Sequence, residues 1–228
     1  MKKMRENILS IFLTSVFMIP TAFSSESAVA EEGGAISYNI GYMSEYWYRG
    51  VHQSDSAVSF GADYEVGGFY LGTWWADVDT GLEHDYYGGY AFSAMGMDMY
   101  AGFTGYYYTD NFDSDYEDFN FGVAMGPIAV DFADGNYDGS SVTDTGYTFT
   151  SVALDLAMVG LPMTLTAGYW GGDSSLKGNV YTLDYGTTVS GVDVGLQIGR
   201  NDDDITQGSR GASSVDTTFA VFSLGYSF

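Results

Sequence analysis

Ala220-Val221-Phe222-Ser223-Leu224-Gly225-Tyr226-Ser227-Phe228 carries a beat of two residues. Ala220, Phe222, Leu224, Tyr226 and Phe228 fall on one face, and Ser223, Gly225 and Ser227 on the other. That period belongs to a strand whose two faces meet different surroundings. Working back through the chain, the same beat recurs. Ile36, Tyr38, Ile40 and Tyr42 alternate with Ser37, Asn39 and Gly41, and Val58, Phe60, Ala62, Tyr64 and Val66 with Ser59, Gly61, Asp63 and Glu65. Phe119, Phe121, Val123 and Met125 alternate with Asp118, Asn120, Gly122 and Ala124. A soluble sheet protein alternates too, so the connections must decide between architectures.

About twelve strands are expected, near 36–50, 57–66, 69–78, 84–93, 97–108, 117–126, 128–134, 147–157, 163–170, 178–188, 192–200 and 217–228. Every second connection is a tight turn: Gly67-Gly68, Ala94 to Gly96, Gly126-Pro127, Val159 to Pro162 and Ser190-Gly191. The others are mostly longer and polar, with Gln53 to Ser56 a short exception. A sandwich has no reason to sort its loops by parity. An outer-membrane barrel does, because short periplasmic turns alternate with longer outer loops around an even number of strands. The fold expected is therefore all-β, an antiparallel transmembrane β-barrel of about 12 strands (10–14 in range) with acidic extracellular loops.

Depth gives a second test. With the N-terminus on the periplasmic side, the outer ends of the strands carry Tyr46-Trp47-Tyr48, Trp74-Trp75, Tyr106-Tyr107-Tyr108 and Tyr169-Trp170. Tyr86-Tyr87 and Tyr147 begin the returning strands at the same level. Amphipathic rings favour a membrane interface, so Tyr46, Tyr48, Trp75, Tyr107 and Tyr169 are expected in an aromatic girdle.

Residues 1–30 are set apart. Lys2, Lys3 and Arg5 precede an apolar run from Ile8 to Phe23, and Ala28-Val29-Ala30 offers small residues for cleavage. This is the pattern of a secretory signal peptide, leaving residues 31–228 as one barrel domain. Of the seven bases, losing Lys2, Lys3 and Arg5 leaves four; of the 30 acids, losing Glu6 and Glu26 leaves 28. Such a polyanion repels nucleic acid. Twenty Tyr, fifteen Phe and four Trp are too many for an unfolded acidic chain. With no cysteine, no disulfide framework is expected.

Ser44-Glu45-Tyr46-Trp47-Tyr48-Arg49-Gly50-Val51-His52-Gln53-Ser54 resembles the signature of the TorF family, which overlaps the Gcw_chp group of conserved bacterial proteins. Gly68-Phe69-Tyr70-Leu71-Gly72-Thr73-Trp74 is similar to that family's next block. Tyr226-Ser227-Phe228 resembles the aromatic C-terminal signal read by the outer-membrane insertion machinery. The resemblance implies an outer-membrane barrel and a channel. It implies no substrate, because the porin assignment of that family rests on analogy.

By strand parity Asp63, Glu65, Asp98, Asp131, Asp155 and Asp193 point into the lumen, close to the tight turns. They form either a cation-selective ring or a set of solvated polar groups near the interface. Arg49 is the one base expected inside; with Glu45 and Asp118 it makes a lumenal ion pair that braces the wall, or else a constriction. Asp77, Asp79, Glu83, Asp85, Asp110, Asp113, Asp115, Glu117 and Asp202 to Asp204 are read as acids of the outer loops, without the spacing of a calcium loop. His52 and His84 are read as rim residues, too few and too isolated for a hydrolytic triad or a zinc site. No enzyme, metal or cofactor is expected.

The function expected is passive diffusion of small polar or cationic solutes through a narrow acidic lumen in the outer membrane of a Gram-negative bacterium. The alternative is a non-conducting barrel whose acidic loops serve a structural or partner-binding role. Lipid, lipopolysaccharide and the insertion machinery are the expected partners, and the oligomeric state stays open.

Overall fold

The computed structural model describes residues 34–138, 145–173, 176–202, 205 and 217–228. The expected signal peptide and the acids Asp203 and Asp204 lie outside them. In chain order the strands are β1 (Ala35–Met43), β2 (Tyr46–Tyr48), β3 (Val51–Ser54), β4 (Ala57–Val66), β5 (Phe69–Asp77), β6 (Leu82–Ala94) and β7 (Met97–Tyr108). They continue as β8 (Asp115–Met125), β9 (Ile128–Asp138), β10 (Thr145–Asp155), β11 (Met163–Gly172), β12 (Gly178–Val189), β13 (Val192–Asn201) and β14 (Thr217–Ser227). Twelve of them close one antiparallel barrel, in which β1 pairs with β14 on one side and β4 on the other. β2 and β3 pair only with each other. The expected twelve-stranded architecture is the one observed.

Closure follows from the two-residue beat. On the outer face Ile36, Phe69, Phe103, Phe119, Leu196 and Ile198 stand at least half exposed, spread around the circumference. Water tolerates no continuous apolar belt of that kind, whereas acyl chains match it. Within hydrocarbon every backbone N–H and C=O needs a partner, and a closed ladder supplies one without leaving an edge. The seam is finished by Tyr38 and Phe228, whose backbones exchange hydrogen bonds of 2.9 and 3.0 Å.

Inward positions are filled by rings lying against small neighbours. A Cβ at Gly72, Gly122 or Gly199 would collide with the rings of Tyr87, Tyr100 or Phe219 respectively. These glycines let aromatic side chains lie flat on the wall, so a lumen enclosed by only twelve strands is largely packed.

Among the strand boundaries that differ from expectation, three change the reading of the chain. The strand expected over 36–50 stops at Met43, because the chain there leaves the wall and turns inward. β9 runs on to Asp138 instead of ending near 134. The turn expected at Val159 to Pro162 begins earlier, as a 3-10 turn over Leu156–Val159 whose Ala157 N–H is capped by the Asp155 side chain. The end of the barrel that holds the tight turns is called the turn end below, and the opposite end the loop end.

Candidate functional site

Residues 44–56 build the centre of the lumen. Met43 of β1 pairs directly with Ala57 of β4, so the chain departs from the wall and rejoins it at adjacent points. Between them, Tyr48 pairs with Val51 across Arg49-Gly50, whose φ angles are 48° and 81°. Two positive φ values in a two-residue loop make the turn whose twist suits a β-hairpin. Gly50 is required twice over, since a Cβ there would also lie 2.8 Å from Val180 of β12.

The hairpin is held from nearly every side. The Arg49 guanidinium donates to Asp118 of β8 at 3.0 Å and sits over the rings of Tyr48 and Phe149, each 4.9 Å away, with Trp170 at 5.7 Å. Trp170 Nε1 donates to the Arg49 carbonyl at 2.8 Å, and Asn201 Nδ2 to the Gly50 carbonyl at 2.6 Å. The turn carbonyls, which lie too deep to reach water, are thus satisfied. Trp47 stacks on Phe219 at 4.2 Å, and its indole N–H donates to Glu45 at 2.7 Å. The Tyr48 hydroxyl donates to that of Tyr106 at 2.6 Å. The Tyr46 hydroxyl donates to Glu83 at 2.8 Å. Burial first, and then the Glu83 and Asp85 carboxylates, push the Tyr46 hydroxyl well above the usual phenol range, so it keeps its proton and remains a donor.

These contacts correct several sequence assignments. Tyr46, Tyr48, Trp47, Trp74, Tyr106, Tyr147 and Trp170 are not girdle residues: their rings are packed inside the barrel around the hairpin. Trp75, Tyr86, Tyr107 and Tyr169 do lie on the outer face near the loop end, where Trp75 stacks on His84 at 4.8 Å. Glu83 and Asp85 are not loop acids: both lie on β6, which begins at Leu82, and both side chains point inward, each 1% exposed. Of the expected trio, Arg49 meets Asp118, while Glu45 accepts from Trp47. His52 is buried in the hairpin, 4.9 Å from the Trp47 ring, and His84 sits on the outer face.

Asp63, Glu65, Asp98, Asp131, Asp155 and Asp193 occupy inward positions in the half of the lumen toward the turn end. Asp63 accepts from Tyr87 and, at 3.3 Å, from Asn39. Asp131 accepts from Tyr100 at 2.9 Å and Asp193 from Thr188 at 2.6 Å. Asp98 pairs with Ser93 at the rim, and Asp155 accepts from the Ala157 N–H at 2.8 Å. Glu65 lies opposite Tyr70 across the sheet. Asp184, which the sequence reading passed over, shares the inward face and accepts from Thr182 and Gln197 at 2.6 Å each. Tyr226 and Phe228 stand at the turn end, exposed and stacked on each other at 5.9 Å.

Above the hairpin, at the loop end, lies a cavity of about 790 Å³. Its floor is Tyr48, Val51 and Trp170; its walls include Tyr106, Tyr108, Tyr116, Tyr137 and Tyr147; its mouth carries Asp79, Asp113 and Asp173. Among the described residues, no arginine, lysine or histidine lines it. Among the described residues, no group of three or more histidine, cysteine or acidic side chains is placed to hold a metal ion.

The profile of the family described as "Bacterial protein of unknown function (Gcw_chp)" matches residues 27–228. A search of curated proteins finds no match. Among solved structures, the KdgM porin is similar over 85% of this chain and 98% of its own, with a TM-score of 0.53 at 10% identity. A chain solved in work on in-meso crystallization of membrane proteins is similar over 85% of this chain and 83% of its own, with a TM-score of 0.53 at 8% identity. At such identities the likeness speaks to the barrel fold.

Proposed function

We propose, for a chain that belongs to the Gcw_chp family of bacterial proteins, a narrow outer-membrane channel for small polar or cationic solutes, constricted by its own inward hairpin. The fold likeness to the KdgM porin, the apolar belt and the TorF-like residues 44–54 support a porin-like channel in that membrane. Its outer belt would face acyl chains and lipopolysaccharide, with Tyr226 and Phe228 as the signal for the insertion machinery.

The observation that carries the cationic preference is the charge balance inside. Arg49 is the one arginine or lysine within the barrel among the described residues, and Asp118 already neutralises it. Asp63, Glu65, Asp131, Asp184 and Asp193 remain along the path toward the turn end. Inward carboxylates of this kind favour the passage of cations.

Planar-bilayer recording tests the reading. The protein should carry a small cation-selective current, and replacing residues 46–54 by a Gly-Ser link should enlarge it while keeping its selectivity. Absence of ion-selective current from both proteins would remove the channel. A second reading is favoured by the close packing around Tyr46, Trp47 and His52, each no more than 3% exposed. In it the barrel is closed at rest and serves a structural or partner-binding role; current from the shortened protein alone would select it.

A further inference from the structure

We propose that the cavity at the loop end is a binding site for organic cations, with an ammonium group carried on a compact apolar body. The proposal deepens the channel reading and rests on it only for where a bound ligand would go next.

The first argument is what the rings still offer. Tyr48 gives its hydroxyl proton to Tyr106, Tyr116 and Tyr137 give theirs to Asp113 at 3.0 and 2.9 Å, and Tyr147 gives its own to Asp118 at 3.1 Å. The Trp170 indole donates to the Arg49 carbonyl. These donors are spent within the protein, so what the rings present to a guest is mainly π surface. Gln53, Thr80, Asn111 and Thr145 also line the cavity and offer directed bonds to a neutral guest, but the tyrosine, tryptophan and phenylalanine rings dominate its surface. A cation needs ring faces and negative charge, with no directed donor at all.

The second argument is charge. Asp79, Asp113 and Asp173 line the cavity and, among the described residues, no base does. Arg49 lies beneath the Tyr48 and Trp170 rings and is paired with Asp118. An anion would therefore meet three carboxylates without compensation from the described lining, and a neutral guest could hydrogen-bond to them but would gain no net charge attraction.

The third argument is size. About 790 Å³ falls within the range of small-molecule pockets and far exceeds what a bare metal ion needs. The rings at 4.5 Å (Tyr116 on Tyr137) and 5.8 Å (Tyr116 on Tyr147) already form one continuous aromatic wall.

The test is calorimetric titration of the purified barrel in detergent micelles with tetraethylammonium chloride, against maltose and sodium benzoate as neutral and anionic probes. Tetraethylammonium should bind and the others should not. The triple variant Asp79→Asn, Asp113→Asn, Asp173→Asn should raise its Kd by about tenfold or more. Because Asp113 also accepts from two tyrosines, Asp79→Asn alone provides a milder variant, expected to weaken binding in the same direction. Heat-dependent gel mobility reports that each variant has folded. Equal binding of maltose or benzoate, no binding of tetraethylammonium, or a Kd indifferent to both folded variants would overturn the proposal. Binding in micelles without current from either the full or the shortened protein keeps this site and removes the channel; current without binding does the reverse.

Discussion

At the level of the hairpin, Asp118 grips a guanidinium at 3.0 Å with both side chains out of reach of water; toward the turn end, Asp131 and Asp193 accept from neutral hydroxyls of the wall itself. One set of carboxylates fixes an inserted element, and the other is anchored by short local bonds. The difference teaches that acidity in this lumen has two uses. A charge buried against a charge cannot lose its partner cheaply, whereas a carboxylate held by a hydroxyl can become an amide and still accept the same bond.

The sharpest way to break this contrast is Asp118→Asn. It leaves Arg49 buried without a counter-charge, and urea titration in lipid should show a loss of about 3–5 kcal/mol. A loss under about 1 kcal/mol would mean that the three rings and the turn contacts hold the hairpin by themselves. Gly50→Ala probes the same element by sterics. The left-handed φ and the approach to Val180 should together cost about 1–3 kcal/mol by the same measurement. The smallest effect on stability is expected at the other end. Replacing Asp63, Asp98, Asp131, Asp155 and Asp193 by Asn should each cost no more than about 1 kcal/mol, since an amide oxygen accepts from the same donors. Reversal potentials should nevertheless move toward the non-selective value, and unmoved potentials would deny these residues a part in selectivity.

The wall was legible because alternation, loop parity and turn glycines all point to the same ladder. Phe121, Ile198 and Leu196 could be placed on lipid from the period alone. The hairpin is not legible, because Tyr46-Trp47-Tyr48 looks like the aromatic end of a strand at a membrane interface, even though Met43, Ser44 and Trp47 break the alternation of β1. A strand that leaves a barrel and one that rises to its rim look alike in sequence. The one available signal was Arg49-Gly50 followed by Val51, a two-residue turn flanked by strand formers. In sequence it resembles the top of a strand, because membrane interfaces also gather aromatic rings. Glu83 and Asp85 were missed for a related reason: charges near a strand end look solvated until something inside the barrel needs them. Asp118 could be matched to Arg49 by parity and height, whereas Glu45 shares that parity yet bonds to Trp47, two residues along its own chain.

Because Met43 and Ala57 pair side by side, the lumenal hairpin is a flap stitched to one spot on the cylinder at both of its ends. Ser44 adds a further stitch, exchanging hydrogen bonds with the Phe222 backbone at 2.9 Å. A cork attached by one terminus could be pulled out whole into either compartment; a doubly tethered flap can only pivot about its hem. Any opening must therefore unfasten the Arg49 tip first, while the obstruction itself never leaves the tube.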